Sequence, residues 1–406
     1  MSKLDGLLPD YPLLAAPHLP TNGPRNLLTQ AGLRDPSTGE PISDALALGI
    51  SGGLGCGYIL WQFKGRIGTV LTIGFTWRWN YGTEAPTNLL TRLGATPRWV
   101  ETGSRKKSAK AVADALAEGK AAVVWLDQVH LGYLRQPTHL EGCFGWHGTV
   151  CGSTEDGVLL HDLGEHPRLV SHAVLEDARA RIGSYKNRLL AVESFSEPSQ
   201  EQWAAAVRAG VADTTDYLSS SSASFSIPAI KKWARMVVDA KNKKGWRKAF
   251  VDGQGLASAL ESTWSNLSLG LSDGTGLRRT YARFCREGAE VADWPALAEV
   301  APLWDAAADA WATVAETALP SDVGGLSELR ALAQKRRDLL LEPASPEVDA
   351  ELDQTAADLM ACRDRLDLAY PEPEAAREAR LDALSAALHA VVAAETAAVA
   401  AMKDIN

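Results

Sequence analysis

Two short segments of this chain carry residues that could do acid–base chemistry together: Gly145-Trp146-His147-Gly148-Thr149-Val150 and Val158-Leu159-Leu160-His161-Asp162. Both read as strands. Pairing Gly152 with Gly157 across a four-residue loop, Ser153 to Asp156, sets His147 opposite Asp162, Thr149 opposite Leu160 and Cys151 opposite Val158. Side chains repeat every second residue along a strand, so all six then share one face. A carboxylate beside an imidazole fixes its tautomer and raises its basicity, as a general base requires. A tighter turn at Asp156-Gly157 moves Asp162 toward Cys151 and breaks the pair.

A third segment, His18-Leu19-Pro20-Thr21-Asn22, leads into a short helix expected over residues 21–32. Thr21 or Asn22 can cap it, Pro24 suits its first turn and Gly32 its end. Pro20 and Pro24 suggest that this helix starts after position 19. Leu19 has no ionisable or nucleophilic atom. A threonine hydroxyl such as that of Thr21 needs a well-placed base to act as a nucleophile. Cys56 and Cys143 read first as small inert thiols; Cys143, four residues before His147, borders the same cleft and is the better candidate.

The elements that must hold these residues follow in order. Val70 to Phe75 and Ala121 to Asp127 read as strands, and Lys107 to Glu118 as an amphipathic helix stopped by Gly119. Past Ser194-Phe195-Ser196-Glu197-Pro198 almost everything reads as helix, ending in an Ala-rich run from Ala375 to about Met402. A helix-first, sheet-later order predicts an α+β first domain.

The motifs taken together resemble the butirosin biosynthesis protein H-like family: His18, Arg25-Asn26-Leu27-Leu28, Gly32-Leu33, the run Gly49 to Tyr58, the His147 and Asp162 strands, and Gly274 to Phe284 with the helix to Trp311. The resemblance covers most of residues 10–320 and implies a papain-like domain over 1–196, a helical domain over 197–325 and a helical extension over 326–406. It also implies acyltransferase or amide-bond chemistry in specialised metabolism. In that pattern the residue after His18 is the nucleophilic Cys, a position held here by Leu19. The expected catalytic residues are therefore His147, Asp162 and His18, with Thr21, Asn22, Tyr58, Cys143 and Trp146 around the substrate. Two functions compete. One is non-covalent acyl transfer or cyclisation driven by a His147–Asp162 base; the other is a catalytically inactive binding protein for a pathway enzyme or carrier protein.

Composition narrows the field. The chain has 406 residues, a net charge of −9 and five cysteines without a CxxC pattern. A reduced, cytoplasmic protein is the expectation. No apolar run reads as a membrane span, and the start at Met1 to Asp5 does not read as a secretory leader. Residues 224–250 are basic, with Asp239 their single acid, inside an otherwise acidic half. That pattern argues against nucleic acid as the partner and leaves a small acidic one, such as an acyl carrier protein presenting a small-molecule substrate. A solvated helix face accounts for the same lysines. The scattered His130, His139, His161 and His166 give no metal spacing. The glycine run lacks GxGxxG register, so no cofactor is expected. The long C-terminal helices leave room for a homodimer.

Overall fold

The structure is a computed structural model that describes residues 5–62, 69–79, 81–268 and 272–406. Met1 to Leu4, which carry most of the leader reading, lie outside the described residues. The elements in chain order are α1 (Leu19–Gln30), α2 (Asp44–Ile50), β1 (Leu54–Gln62), β2 (Thr69–Thr76), α3 (Glu84–Arg92), β3 (Ala95–Val100), α4 (Arg105–Ala117), β4 (Ala122–Asp127), β5 (Gly145–Thr154), β6 (Gly157–His161), β7 (Arg168–Val170), α5 (His172–Arg181) and β8 (Leu189–Phe195). Among the described residues helices follow without further strands: α6 (Gln200–Ser219), α7 (Ile227–Val238), α8 (Trp246–Ala249), α9 (Leu256–Ser268), α10 (Arg278–Val291), α11 (Pro295–Ala318), α12 (Gly324–Leu341), α13 (Pro346–Leu368) and α14 (Glu374–Ile405). This is the expected α+β, papain-like layout with an all-α C-terminal half.

Two compact units divide the chain, and neither is one continuous segment. The first takes residues 1–47, 83–206 and 338–353; the second takes 48–82, 207–337 and 354–406. The first unit holds a six-stranded antiparallel sheet in the order β3-β8-β4-β5-β6-β7. Helix α1 packs on β4, β5 and β8, and α4 and α5 also pack on β4. In the second unit, the β1–β2 hairpin packs with α7 and α9 among the helices.

Local chemistry explains α1. His18 is its N-cap residue, and the His18 carbonyl accepts from the Thr21 and Asn22 amides at 3.3 and 3.0 Å. The first amides of a helix have no intrahelical acceptor, so Pro20 in the first turn sacrifices nothing. The expected start after position 19 is thereby corrected: Leu19 is the first helical residue. Its buried polar side chains are all used. Asn26 accepts from the Leu14 amide at 2.9 Å and donates to the Leu14 and Asn22 carbonyls, while Arg25 Nε donates to the Ile42 carbonyl at 2.7 Å. Gly23 lets the helix lie close on the sheet, since a Cβ there would stand 2.7 Å from Val123 Cγ2 and 3.1 Å from Thr149 Oγ1.

The second unit has a polar core of its own. Arg278 and Glu395, both fully buried, pair at 2.7 Å. Glu395 also accepts from Trp311 Nε1 at 2.6 Å, and Arg278 donates to the Gly55 and Gly276 carbonyls. Helix α14 is the one helix among the described residues long and apolar enough, by composition, to cross a membrane. It packs against α7 and α11 through a stripe that includes Leu384, Leu388, Val391 and the paired Glu395, as a core helix does.

Candidate functional site

Strand β5 carries His147 between β4 and β6. Trp125 on β4 is its cross-strand partner, and the two rings meet edge to face at 5.0 Å. Burial, and secondarily the Arg188 charge, push the His147 pKa from 6.5 down to about 4. The imidazole is neutral at pH 7, and no side-chain hydrogen bond engages it among the described residues.

The His147–Asp162 pairing expected from the sequence is corrected. The β5–β6 hairpin turns on two residues, Glu155 and Asp156, and a bulge at Cys151 shifts the register, so Thr149 pairs with His161 and Val150 with Leu160. Bulges insert one residue and change which side chains meet. Asp162 then falls just beyond the strand. Its carboxylate accepts from Tyr133 OH at 2.5 Å, Trp146 Nε1 at 2.7 Å and the Leu163 amide at 2.6 Å. It orients Trp146 and Tyr133 rather than His147.

His161 stands on the face that His147 and Thr149 share, opposite Thr149. Its Nε2 lies 2.9 Å from the Gly164 carbonyl, which can only accept, so Nε2 carries the proton and Nδ1 accepts from Tyr11 OH at 2.8 Å. Burial lowers its pKa. His161 and Tyr11 were not among the expected site residues; the strict alternation from Thr149 would have found His161 had the bulge been foreseen.

Leu19, Asn22, Gly23, His147, Thr149 and His161 line one narrow cavity, which Asp162 also borders. Its volume is about 10 Å³, near the lower limit for a single water. Leu19, only 3% exposed, contributes its side chain from the first turn of α1. The structure thus brings the helix start and the His147 strand together, and it places an alkyl group at their meeting point.

The remaining expected residues divide. His18 is buried, and its Nδ1 lies 2.9 Å from Thr21 Oγ1, so these two side chains engage each other. Asn22 donates to the Leu14 carbonyl at 2.8 Å. Trp146 belongs to the Asp162 cluster. Cys143 is an exposed free thiol in the turn before β5 and is not among the residues lining the cavity. Tyr58 belongs to the second unit, where it is buried, stacks on Trp233 at 5.2 Å and accepts from Trp246 Nε1 at 2.9 Å. Its expected place beside the substrate is therefore corrected: the aromatic core of the helical unit holds it. Cys56 is fully buried there, and burial raises its thiol pKa. No cluster of metal-binding groups exists among the described residues.

Comparison with known families agrees with this layout. Residues 18–162 match the model for butirosin biosynthesis protein H, N-terminal, and residues 173–342 match a domain of unknown function (DUF4872). No curated protein matches the chain. Residues 18–162 of this chain thus form a butirosin biosynthesis protein H-like N-terminal domain, followed over residues 173–342 by the domain of unknown function.

Proposed function

We propose that this protein serves specialised-metabolite biosynthesis as a non-catalytic papain-like binding protein, engaging a pathway enzyme or a carrier protein rather than acylating itself. The observation that carries this reading is Leu19, buried against the cavity that His147 and His161 line. Covalent acyl transfer needs a nucleophile, a base in reach of it, an orienting group and room for an acyl carbon. Leu19 supplies no nucleophile, Asp162 is engaged by three other donors, and about 10 Å³ admits no acyl group. A base with a pKa near 4 is also poorly matched to proton transfer at neutral pH.

The partner this reading favours is acidic. Lys241, Lys243 and Lys244 lie on the exposed stretch between α7 and α8, whose turn is fixed by Asp239 accepting from the Lys241 and Asn242 amides at 2.7 and 2.9 Å. A carrier protein presenting a small-molecule acyl group fits such a patch by charge.

The experiment is a single-turnover reaction with an acyl-loaded carrier protein and a soluble amine, run beside a binding titration. The expected result is saturable carrier binding without acyl transfer above the uncatalysed rate and without an acyl adduct by intact mass. Transfer that disappears in His147→Ala would replace this reading with non-covalent catalysis by His147. One observation favours that second reading: among the described residues no side-chain hydrogen bond engages the imidazole, which borders the cavity.

A further inference from the structure

The first unit contains a second and much larger cavity, of about 380 Å³, between α4 and α5. Val158 and His161 both lie on β6 three residues apart and so point to opposite faces. Val158 floors this cavity and His161 borders the narrow one, so the two lie on opposite sides of the sheet. A volume in the range of small-molecule pockets on the face away from α1 is not explained by the His147 site.

Its walls are alkyl. Helix α4 contributes Ala109, Val112, Ala113, Leu116 and Ala117, a single apolar face at helical spacing. Leu175 of α5 and Val158 of β6, both buried, complete the apolar lining. Ala113 and Ala117 are exposed, and their methyls leave room that larger side chains would fill. An Arg105–Asp177 ion pair ties the two helices together.

The charged groups of the lining are already provided for. Arg179 is 1% exposed and donates to the Ser108 and Asn187 carbonyls at 3.0 and 2.7 Å, so it presents no donor to the cavity. Glu176, one turn earlier on α5, is its counter-charge through space. His172 is exposed at the start of α5, and Ser171 already caps that helix by accepting from the Val174 amide at 3.3 Å. A charged ligand would lose hydration here without gaining a partner. An alkyl chain gains with every methylene it buries. One neutral group stands at the rim: Ser153 is exposed, and no described residue engages its hydroxyl.

We propose that this cavity binds an uncharged aliphatic molecule, its alkyl chain along the alanine face of α4 and its hydroxyl or ester end at Ser153. The site is independent of the reading given for the His147 cavity.

Methyl NMR of the full chain, labelled at its alanines, tests it with n-butanol, n-hexanol and n-octanol as probes and octanoate and octylamine as charged analogues. Saturable shifts of the Ala109, Ala113 and Ala117 methyls are expected, with affinity rising about fourfold for each added methylene. Neither charged analogue should bind more tightly than n-octanol. Ala113→Trp fills the groove from an exposed position and should abolish the shifts at Ala109 and Ala117. Ala113→Asp, at the same exposed position, puts a charge on the alkyl wall and should weaken n-octanol by about tenfold or more. The proposal is overturned by no saturable shift of these methyls up to the solubility limit of n-octanol, or by affinity that does not rise with chain length. Undiminished binding in both variants, or a charged analogue about tenfold tighter than n-octanol, would overturn it equally.

Discussion

At the scale of single residues, the proposed function turns on one side chain. Leu19 occupies the helix start where a thiolate would gain from the positive end of α1, and burial keeps the neighbouring imidazole neutral. Leu19→Cys supplies that anion and, being smaller, widens the cavity. Two effects then oppose each other: burial raises a thiol, as it does at Cys56 and Cys151, while the helix end and an imidazole in reach lower it. An ion pair satisfies both charges at once, so the pair should win. In a Cys143→Ser background, ultraviolet titration of Leu19→Cys should reveal a thiolate below the ordinary thiol range, with the His147 pKa raised above 4. A thiol that titrates above that range would show that His147 is too far from position 19 to act on it.

His147 also makes an acid-sensitivity prediction. Its folded pKa of about 4 lies below the 6.5 of an unperturbed imidazole, so in that interval the unfolded chain binds the extra proton. Stability therefore falls as pH drops from about 6.5 to about 4 and is recovered on the way back up. His161 adds a contribution of the same sign. Urea unfolding at several pH values should show a shallower slope across this window for His147→Gln than for the natural chain. Equal slopes would mean that His147 is solvated in the folded state.

At the scale of elements, close approach and buried pairing decide what tolerates change. Gly23→Ala places a methyl 2.7 Å from Val123 Cγ2, and α1 is pinned at Leu14 and Ile42 and cannot retreat. Overpacking of this kind costs roughly 1–3 kcal/mol, readable as a lower urea midpoint with an unchanged m-value. In the helical unit, Glu395→Ala leaves Arg278 charged and unpaired in a sealed core, a loss of about 3–5 kcal/mol. Glu395→Gln keeps an acceptor for Trp311 and should cost less. If the two variants unfolded alike, the charge would be irrelevant and the packing of α14 would carry the effect.

At the scale of the whole molecule, the distribution of charge is the feature a partner would meet first. Opposite-charge docking is screened within about 8–10 Å at physiological salt, so its signature is ionic-strength dependence. Reversal of Lys241, Lys243 and Lys244 to Glu should weaken carrier binding in titrations, with the larger effect at low salt. Binding that is indifferent to all three substitutions would return these lysines to the role of a solvated turn. The discontinuity of the two units adds a point about architecture. The β1–β2 hairpin, which precedes most of the sheet in sequence, belongs with the helices, while residues 338–353 of the helical half belong with the sheet.

What the sequence determined by itself is several of the elements and their order. Gly119 ends α4, the apolar run before Asp127 makes β4, the alanine-rich tail makes α14, and the motif order from His18 to Asp162 points to the family. These signals are local, because a cap, a period or a turn residue acts on its own few neighbours. The site was legible only in part. Leu19, Asn22 and His147 do meet at one cavity, but the partnership of His147 with Asp162 depended on counting residues across a hairpin. A single bulge at Cys151 changed that count, and the bulge is a property of two strands and the segment beside them, where Gly6 and Leu7 press on Gly152. Tyr58 likewise carried no mark of which core would bury it. Tertiary packing alone decided that Leu19 fills the cavity, that Asp162 serves Trp146 and Tyr133, and that a larger cavity opens behind the sheet, because each depends on which residues distant in sequence come into contact.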